Sequence, residues 1–247
     1  MQHYLTATRI DVLHSPFVFE LYQNCIAKES NQSQYQNIEK IREQLRSVQT
    51  EINFEDFGAS QKSRTVTVKE LANQHLKPAR IGQILNRIIQ YKNYHAILEL
   101  GTSLGITACY LANSPNAHLT TLEGSKAVWE QAQLTFEKAK LGSKIVSQLG
   151  TFDSLLPALI HKQPKYDLIF IDGNHSYEAT LRYVEMLSPL LSKNGLLILD
   201  DIYWSTGMTK AWRETTEKFT VSIDLFFIGI LSNRKGQVKE DFKLRVW

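Results

Sequence analysis

The sequence predicts a doubly wound α/β fold with a mostly parallel sheet and a helical N-terminal extension. Three observations carry that expectation. From residue 96 onward short apolar runs alternate with amphipathic helical stretches, each run ends in glycine or polar residues, and the first 90 residues carry helical periodicity.

Ser15 and Pro16 mark the start of a helix over residues 16 to 27. A serine hydroxyl caps free N–H groups, and proline at the first position gives up an N–H that has no partner in any case. Residues 29 to 37, rich in Ser, Asn and Gln, read as a surface connection. Ile38, Ile41, Leu45, Val48 and Ile52 recur at spacings of three and four, which puts one apolar stripe on a second helix. Residues 53 to 65, with Phe54, Phe57 and Gly58, break the period and read as a connecting loop, with a lid as the alternative. Thr67-Val68-Lys69-Glu70 has capping-box spacing, and Pro78 opens a further helix with Ile81, Leu85 and Ile88 on one face. The N-terminal third is therefore expected to be all helical, with residues 1–90 an extension and residues 91–247 the main domain.

Ala96–Leu100, His118–Leu122, Ile145–Leu149, Asp167–Ile171 and Gly195–Leu199 read as five parallel strands. Helical stretches lie between them near 105–113, 125–140, 152–162 and 176–191, the last stopping before Asn194-Gly195 as a left-handed terminus. Parallel neighbours need right-handed crossovers, which place helices on both faces. After a helix near 207–218, Val221–Ser232 and Phe242–Trp247 read as a terminal antiparallel hairpin, with Asp224 and Gly229 as candidate bends.

The 247 residues, 43% hydrophobic and 21% charged, suffice for one large α/β domain plus the extension. The net charge of +3 is dispersed along the chain, so no nucleic-acid partner is expected. Cys25 and Cys109 lack metal-ligand spacing and read as reduced thiols. No uncharged apolar run approaches about 18 residues and the N-terminus lacks an apolar leader core, so a soluble cytoplasmic protein without membrane contact is expected. Phe17, Phe19 and Tyr22 cover either the domain or a second copy, which makes a homodimer through the N-terminal helices an open expectation.

Ligands of open α/β sheets bind at the carboxyl ends of the strands, near the point where strand order reverses. Here the first end carries Gly101, Thr102, Ser103, Leu104 and Gly105, and the second Glu123-Gly124. The third carries Gly150-Thr151, the fourth Asp172-Gly173-Asn174-His175, and the fifth Asp200-Asp201. A glycine turn alone also serves plain strand-to-helix packing. Glu123, 22 residues after Gly101, adds a carboxylate able to accept from both ribose hydroxyls, and the pair points to an adenosine-containing cofactor. Dinucleotides are disfavoured, because Ser103 stands where their fingerprint needs a second glycine beside the pyrophosphate.

The relevant motifs are Leu98-Glu99-Leu100-Gly101-Thr102-Ser103-Leu104-Gly105-Ile106-Thr107, Thr121-Leu122-Glu123, Asp167-Leu168-Ile169-Phe170-Ile171-Asp172 and Gly195-Leu196-Leu197-Ile198-Leu199-Asp200-Asp201. Over about residues 80 to 247 the chain resembles class I S-adenosylmethionine methyltransferases, in the O-methyltransferase branch of the catechol and caffeoyl-CoA enzymes. The resemblance implies a Rossmann-like sheet of seven strands with an antiparallel C-terminal strand. It also implies S-adenosyl-L-methionine as cofactor and a small-molecule hydroxyl as substrate. By position, the loop of Gly101, Ser103 and Thr107 would hold the amino-acid part of the cofactor and Glu123 the ribose. Gly150, Thr151 and Phe152 would flank the adenine, while Glu99, Thr102, Gly105 and Asp172 complete the expected contacts.

The metal-dependent members of that branch imply a Mg2+ or similar divalent cation on Asp172, Asp200 and Asp201. Asp201 departs from the usual asparagine, and His175 stands where a lysine base is common. The resemblance thus makes His175 and Asp172 the candidate catalytic pair, with a helix-opening surface role for His175 beside Ser176 as the alternative. Tyr203 and Trp204 either wall a substrate or pack in the core. An RNA- or protein-directed methyltransferase, a non-catalytic cofactor-binding module and an aminopropyl transferase share the fold and stand as alternatives.

Overall fold

The computed structural model describes residues 14–29, 31–57 and 62–246. Ser15 caps α1 (Pro16–Leu21) by accepting from the Val18 N–H at 3.5 Å, and the helix runs on through a π-helical turn, Tyr22–Ile26. Phe17 is buried and Tyr22 packs against the core, whereas Phe19 stays 41% exposed. Asn31 caps α2 (Gln32–Leu45), whose Tyr35, Ile38, Ile41 and Leu45 are buried.

α2 stops at Leu45 and does not reach Ile52, which corrects the expected second helix. Ile52 lies in β1 (Glu51–Glu55), paired antiparallel with β2 (Ser63–Thr67) so that Ile52 faces Val66. Glu51-Ile52-Asn53-Phe54-Glu55 also alternates polar and apolar, and here the strand period prevails over the helical one. The N-terminal third is thus not all helical, and the expected loop 53–65 begins and ends in strands. Gly58 lies outside the described residues, as do residues 1–13 of the extension.

Thr67 and Glu70 form a reciprocal capping box on α3 (Val68–His75): the Glu70 N–H donates to Thr67 Oγ1 at 3.1 Å and the Thr67 N–H to Glu70 Oε2 at 2.7 Å. Pro78 occupies the capping position of α4 (Ala79–Lys92), which buries Ile81, Ile84, Leu85, Ile88 and Ile89 and ends at Asn93 in a left-handed conformation, φ 50°.

The alternating half of the chain forms β3 (Ala96–Leu100), α5 (Ile106–Ala112), β4 (His118–Glu123), α6 (Lys126–Ala139), β5 (Ile145–Leu149), α7 (Phe152–His161) and β6 (Tyr166–Ile171). It continues through α8 (Tyr177–Leu187), β7 (Leu191–Asp200), α9 (Thr206–Thr216), β8 (Val221–Asp224), β9 (Ile228–Ser232) and β10 (Glu240–Lys243). The main sheet has eight strands in the order β10-β8-β9-β7-β6-β3-β4-β5. β3 to β7 pair in parallel, and β9 is antiparallel to both β7 and β8. Strand order reverses between β3 and β6, so the carboxyl ends of β3, β4 and β6 meet at the switch point.

Two C-terminal expectations change. The hairpin lies within 221–232, turning at Phe226 with φ 74°, and β10 pairs parallel with β8. β10 does run antiparallel to its predecessor β9, but it crosses to the far side of β8, which adds an eighth strand to the expected seven. Trp247 lies outside the described residues. In addition, α8 ends at Leu187, and Asn194-Gly195 sits inside the ten-residue β7 instead of stopping a helix. Pro189, which cannot continue a helix, stands in the short 3-10 turn Ser188–Leu190 that follows α8. A Cβ on Gly195 would lie 3.1 Å from the Tyr166 carbonyl oxygen, so this glycine serves close strand approach.

Residues of the central strands β3, β6 and β7 are buried on both faces, as a parallel sheet requires, whereas the edge strand β5 leaves Val146 and Leu149 exposed. Ile97, Leu168, Phe170, Leu196 and Ile198 face one cluster, which also takes in buried residues of α1 to α4. Leu98, Leu100, Ile169, Ile171, Leu197 and Leu199 face the other, with α7, α8 and α9. The N-terminal helices therefore share a core with the sheet, and each enclosed aliphatic side chain contributes about 1.5–3 kcal/mol of burial. Among the described residues no helix is long and apolar enough to cross a membrane.

Candidate functional site

At the switch point the chain turns sharply after β3. Gly101, with φ 99°, donates its N–H to the Leu122 carbonyl at 3.0 Å, and a Cβ there would come within 1.8 Å of the Asp172 carbonyl oxygen. Only glycine fits that approach. Ser103 and Gly105 also take positive φ, 49° and 82°, and Gly105 packs against Phe136 at the start of α5. Thr107, in the first turn of that helix, is half-buried.

Glu123 at the end of β4 reaches back to this turn. Its Oε2 accepts from the Ser103 N–H and its Oε1 from the Ser125 N–H, both at 2.9 Å. Burial pushes its carboxyl up, while the N–H groups of Ser125, Ser103 and Gly124 act against that shift. Gly150 donates to the Glu123 carbonyl at 2.8 Å, Thr151 caps α7, and the Phe152 ring lies against Gly173 and edge-on to Tyr183, centroids 5.6 Å apart.

Two of the expected cofactor residues are placed beneath the turn and do not line it. Thr102 is buried and shares a 2.6 Å hydrogen bond with Thr121. Glu99 is fully enclosed, accepts from Thr121 Oγ1 at 2.6 Å on Oε2, and leaves Oε1 without a hydrogen-bond partner. Burial raises its carboxyl well above the usual range; the Thr121 hydroxyl opposes this and Asp172 and Glu123 add to it.

The acidic side contains a residue that the sequence reading missed. Lys77, in the short connection between α3 and α4, places its ammonium 3.4 Å from Asp172 Oδ1 and 2.9 Å from Asp201 Oδ2, and in contact with Asp200 Oδ2. Buried Arg42 of α2 donates Nη1 to the Lys77 carbonyl and fixes the backbone there. No spacing signal identifies Lys77, because its partners are more than 90 positions away in the chain. Burial works against its charge, but Asp172, Asp200 and Asp201 outweigh that and raise its affinity for the proton.

His175 Nε2 stands 3.6 Å from Asp172 Oδ1. Burial lowers the histidine below its ordinary value despite the pull of Asp172, and the Lys77 charge lowers it further. The imidazole is therefore neutral near pH 7. Trp204 is 58% exposed with its ring 6.0 Å from His175, whereas the Tyr203 hydroxyl turns away to donate to Asp224. The β1–β2 hairpin borders the other side: Phe57 lies so close over Gly124 that a Cβ there would come within 2.6 Å of its ring, and the Glu55 N–H donates to Ser125 Oγ at 3.3 Å.

Asp172, His175 and Asp200 each offer a ligand atom within 4.8 Å of the others, and oxygen donors suit a hard cation. The Lys77 ammonium nevertheless stands between two members of this cluster, in contact with Asp200 Oδ2 and 3.4 Å from Asp172 Oδ1. A dication about 4 Å from an ammonium is repelled by roughly 8 kcal/mol at an effective dielectric of about 20. A divalent ion does not fit while Lys77 holds its place.

Residues 98–202 match the family model for a methyltransferase domain. Among solved structures, the O-methyltransferase from Bacillus cereus in complex with SAH is 17% identical, with a TM-score of 0.58, covering 91% of this chain and 100% of that one. SAH-bound PaMTH1, a methyltransferase from Podospora anserina, is 16% identical with a TM-score of 0.59, covering 89% and 94%. The O-methyltransferase TomG from Streptomyces achromogenes in complex with SAM is 16% identical with a TM-score of 0.58, covering 88% and 96%. At these identities the likeness is one of fold.

Proposed function

We propose that this chain, which carries a methyltransferase domain over residues 98–202, transfers a methyl group from S-adenosyl-L-methionine to a hydroxyl of a small molecule. The observation that carries the reading is the convergence of Gly101, Ser103 and Glu123 at the switch point, with Asp172 against Gly101. Gly101 and Ser103, both only part-buried, suit the amino-acid portion of the cofactor. Glu123 accepts a backbone N–H on each of its oxygens and has lone-pair capacity left to accept from ribose hydroxyls.

When bound, S-adenosylmethionine supplies an electrophilic methyl on a sulfonium. The protein's own work is then to place an acceptor oxygen in line and to take its proton. His175 is the base in this reading, since it is neutral near pH 7 and sits beside Asp172 at the same strand end. The exposed Trp204 indole next to His175 gives a flat acceptor a face to lie on. Dispersed basic residues favour a small-molecule acceptor over RNA.

Calorimetric titration of the full chain with S-adenosylmethionine, followed by turnover assays on a panel of hydroxylated aromatic compounds, tests the proposal. Binding in the micromolar range, retained in His175→Ala while turnover falls at least about 100-fold, is the expected result. Absence of binding, or His175→Ala turnover equal to wild type, overturns the reading or its base assignment respectively.

A further inference from the structure

Lys77 brings a fixed positive charge from the N-terminal extension into the acidic ends of β6 and β7. Its ammonium has three N–H donors, and three carboxylates surround it: Asp172 at 3.4 Å, Asp201 at 2.9 Å, and Asp200 in contact. Asp200 is fully enclosed, and its Oδ1 finds no hydrogen-bond donor among the described residues, so Lys77 is the charge that makes its burial tolerable. The lysine is held from behind as well. Arg42 donates to its carbonyl, and Pro78 restricts the backbone on its other side.

Two of these carboxylates, Asp172 and Asp200, form with His175 a donor set within reach of a single dication, and Asp201 borders it through its contact with the same ammonium. We propose that Lys77 is a tethered cation standing in the place of a divalent metal, so that this site works without one, and that removing the lysine side chain opens a metal site on Asp172, Asp200 and Asp201. The role is one of positioning. Asp172 abuts Gly101 through its carbonyl oxygen, so an ammonium that fixes Asp172 also fixes the turn. The activity part of this inference rests on the methyltransferase reading; the metal-binding part does not.

The test is a titration of the full chain with Mn2+, read by the loss of the free-ion electron paramagnetic resonance signal, in wild type and Lys77→Ala. Wild type is expected to bind no Mn2+ below millimolar concentrations and to keep its S-adenosylmethionine binding and turnover in EDTA. Lys77→Ala is expected to melt lower, to bind Mn2+ at least about tenfold more tightly than wild type, and to recover melting temperature when Mn2+ is added. Lys77→Met retains most of the buried stem and replaces the alanine variant should that one fail to fold. Mn2+ binding to wild type as tight as to the variant, or loss of wild-type turnover in EDTA, overturns the inference. Absence of S-adenosylmethionine binding to wild type would instead count against the methyltransferase reading, with the Mn2+ comparison still deciding the role of Lys77.

Discussion

Ser103 donates its backbone N–H to Glu123 Oε2 at 2.9 Å, which ties the turn after β3 to the end of β4 before any ligand is considered. Because Oε1 accepts from Ser125 in the same way, both carboxylate oxygens are acceptors and neither tolerates replacement by an NH2 group. Glu123→Gln is therefore not conservative here. Both Glu123→Gln and Glu123→Ala are expected to weaken S-adenosylmethionine binding by about 10- to 100-fold, the value of a hydrogen bond to a charged acceptor, as measured by calorimetry. The glutamine variant should also melt below wild type, and an unchanged melting temperature would show that the N–H contacts carry no weight.

Gly101 provides a second test of the same junction. A methyl group there meets the Asp172 carbonyl oxygen at 1.8 Å on a backbone with φ 99°, so Gly101→Ala must separate the ends of β3 and β6. A loss of at least about 2 kcal/mol in unfolding free energy is expected, together with a drop in cofactor affinity. Gly142→Ala is the control. Nothing lies within 4 Å of a Cβ at that position, and a change within about 0.5 kcal/mol is expected. Similar denaturation midpoints for the two variants would refute the close approach.

The legible parts of this chain were those governed by local rules. Thr67 and Glu70 announce a capping box at the right spacing, and the apolar runs ending at Leu100, Leu122 and Ile171 are strands because helices of suitable length separate them. Ile52 misled because its distance from Val48 fits a helix while its alternation with Glu51 and Asn53 fits a strand, and only the pairing with Val66 decides between them. Within the site, Gly101, Glu123 and Asp172 could be found because each stands at or directly after the end of a strand, and the sheet brings strand ends together. Lys77 could not. A lysine between two helices has no local signature, and its partners on β6 and β7 become neighbours only once α4 packs on the sheet.

Glu99 offers a test that separates stability from binding. Its enclosed carboxyl is raised well above its ordinary value of 4.5, so the folded state holds its proton more tightly than the unfolded chain does. The sign follows by linkage. The stabilisation is complete below the unfolded value and is lost as pH climbs from about 4.5 through the folded value, at up to about 1.4 kcal/mol per pH unit. Glu99→Gln stays neutral at every pH and can still accept from Thr121, so it removes this dependence while keeping the 2.6 Å contact. Thermal melts from pH 5 to pH 8 should show the glutamine variant gaining on wild type by roughly 3–6 °C per pH unit until the folded value is passed. Parallel melting curves for the two proteins would mean that Glu99 titrates alike in both states, and burial of its carboxyl beneath Gly101 would then carry no protonation cost.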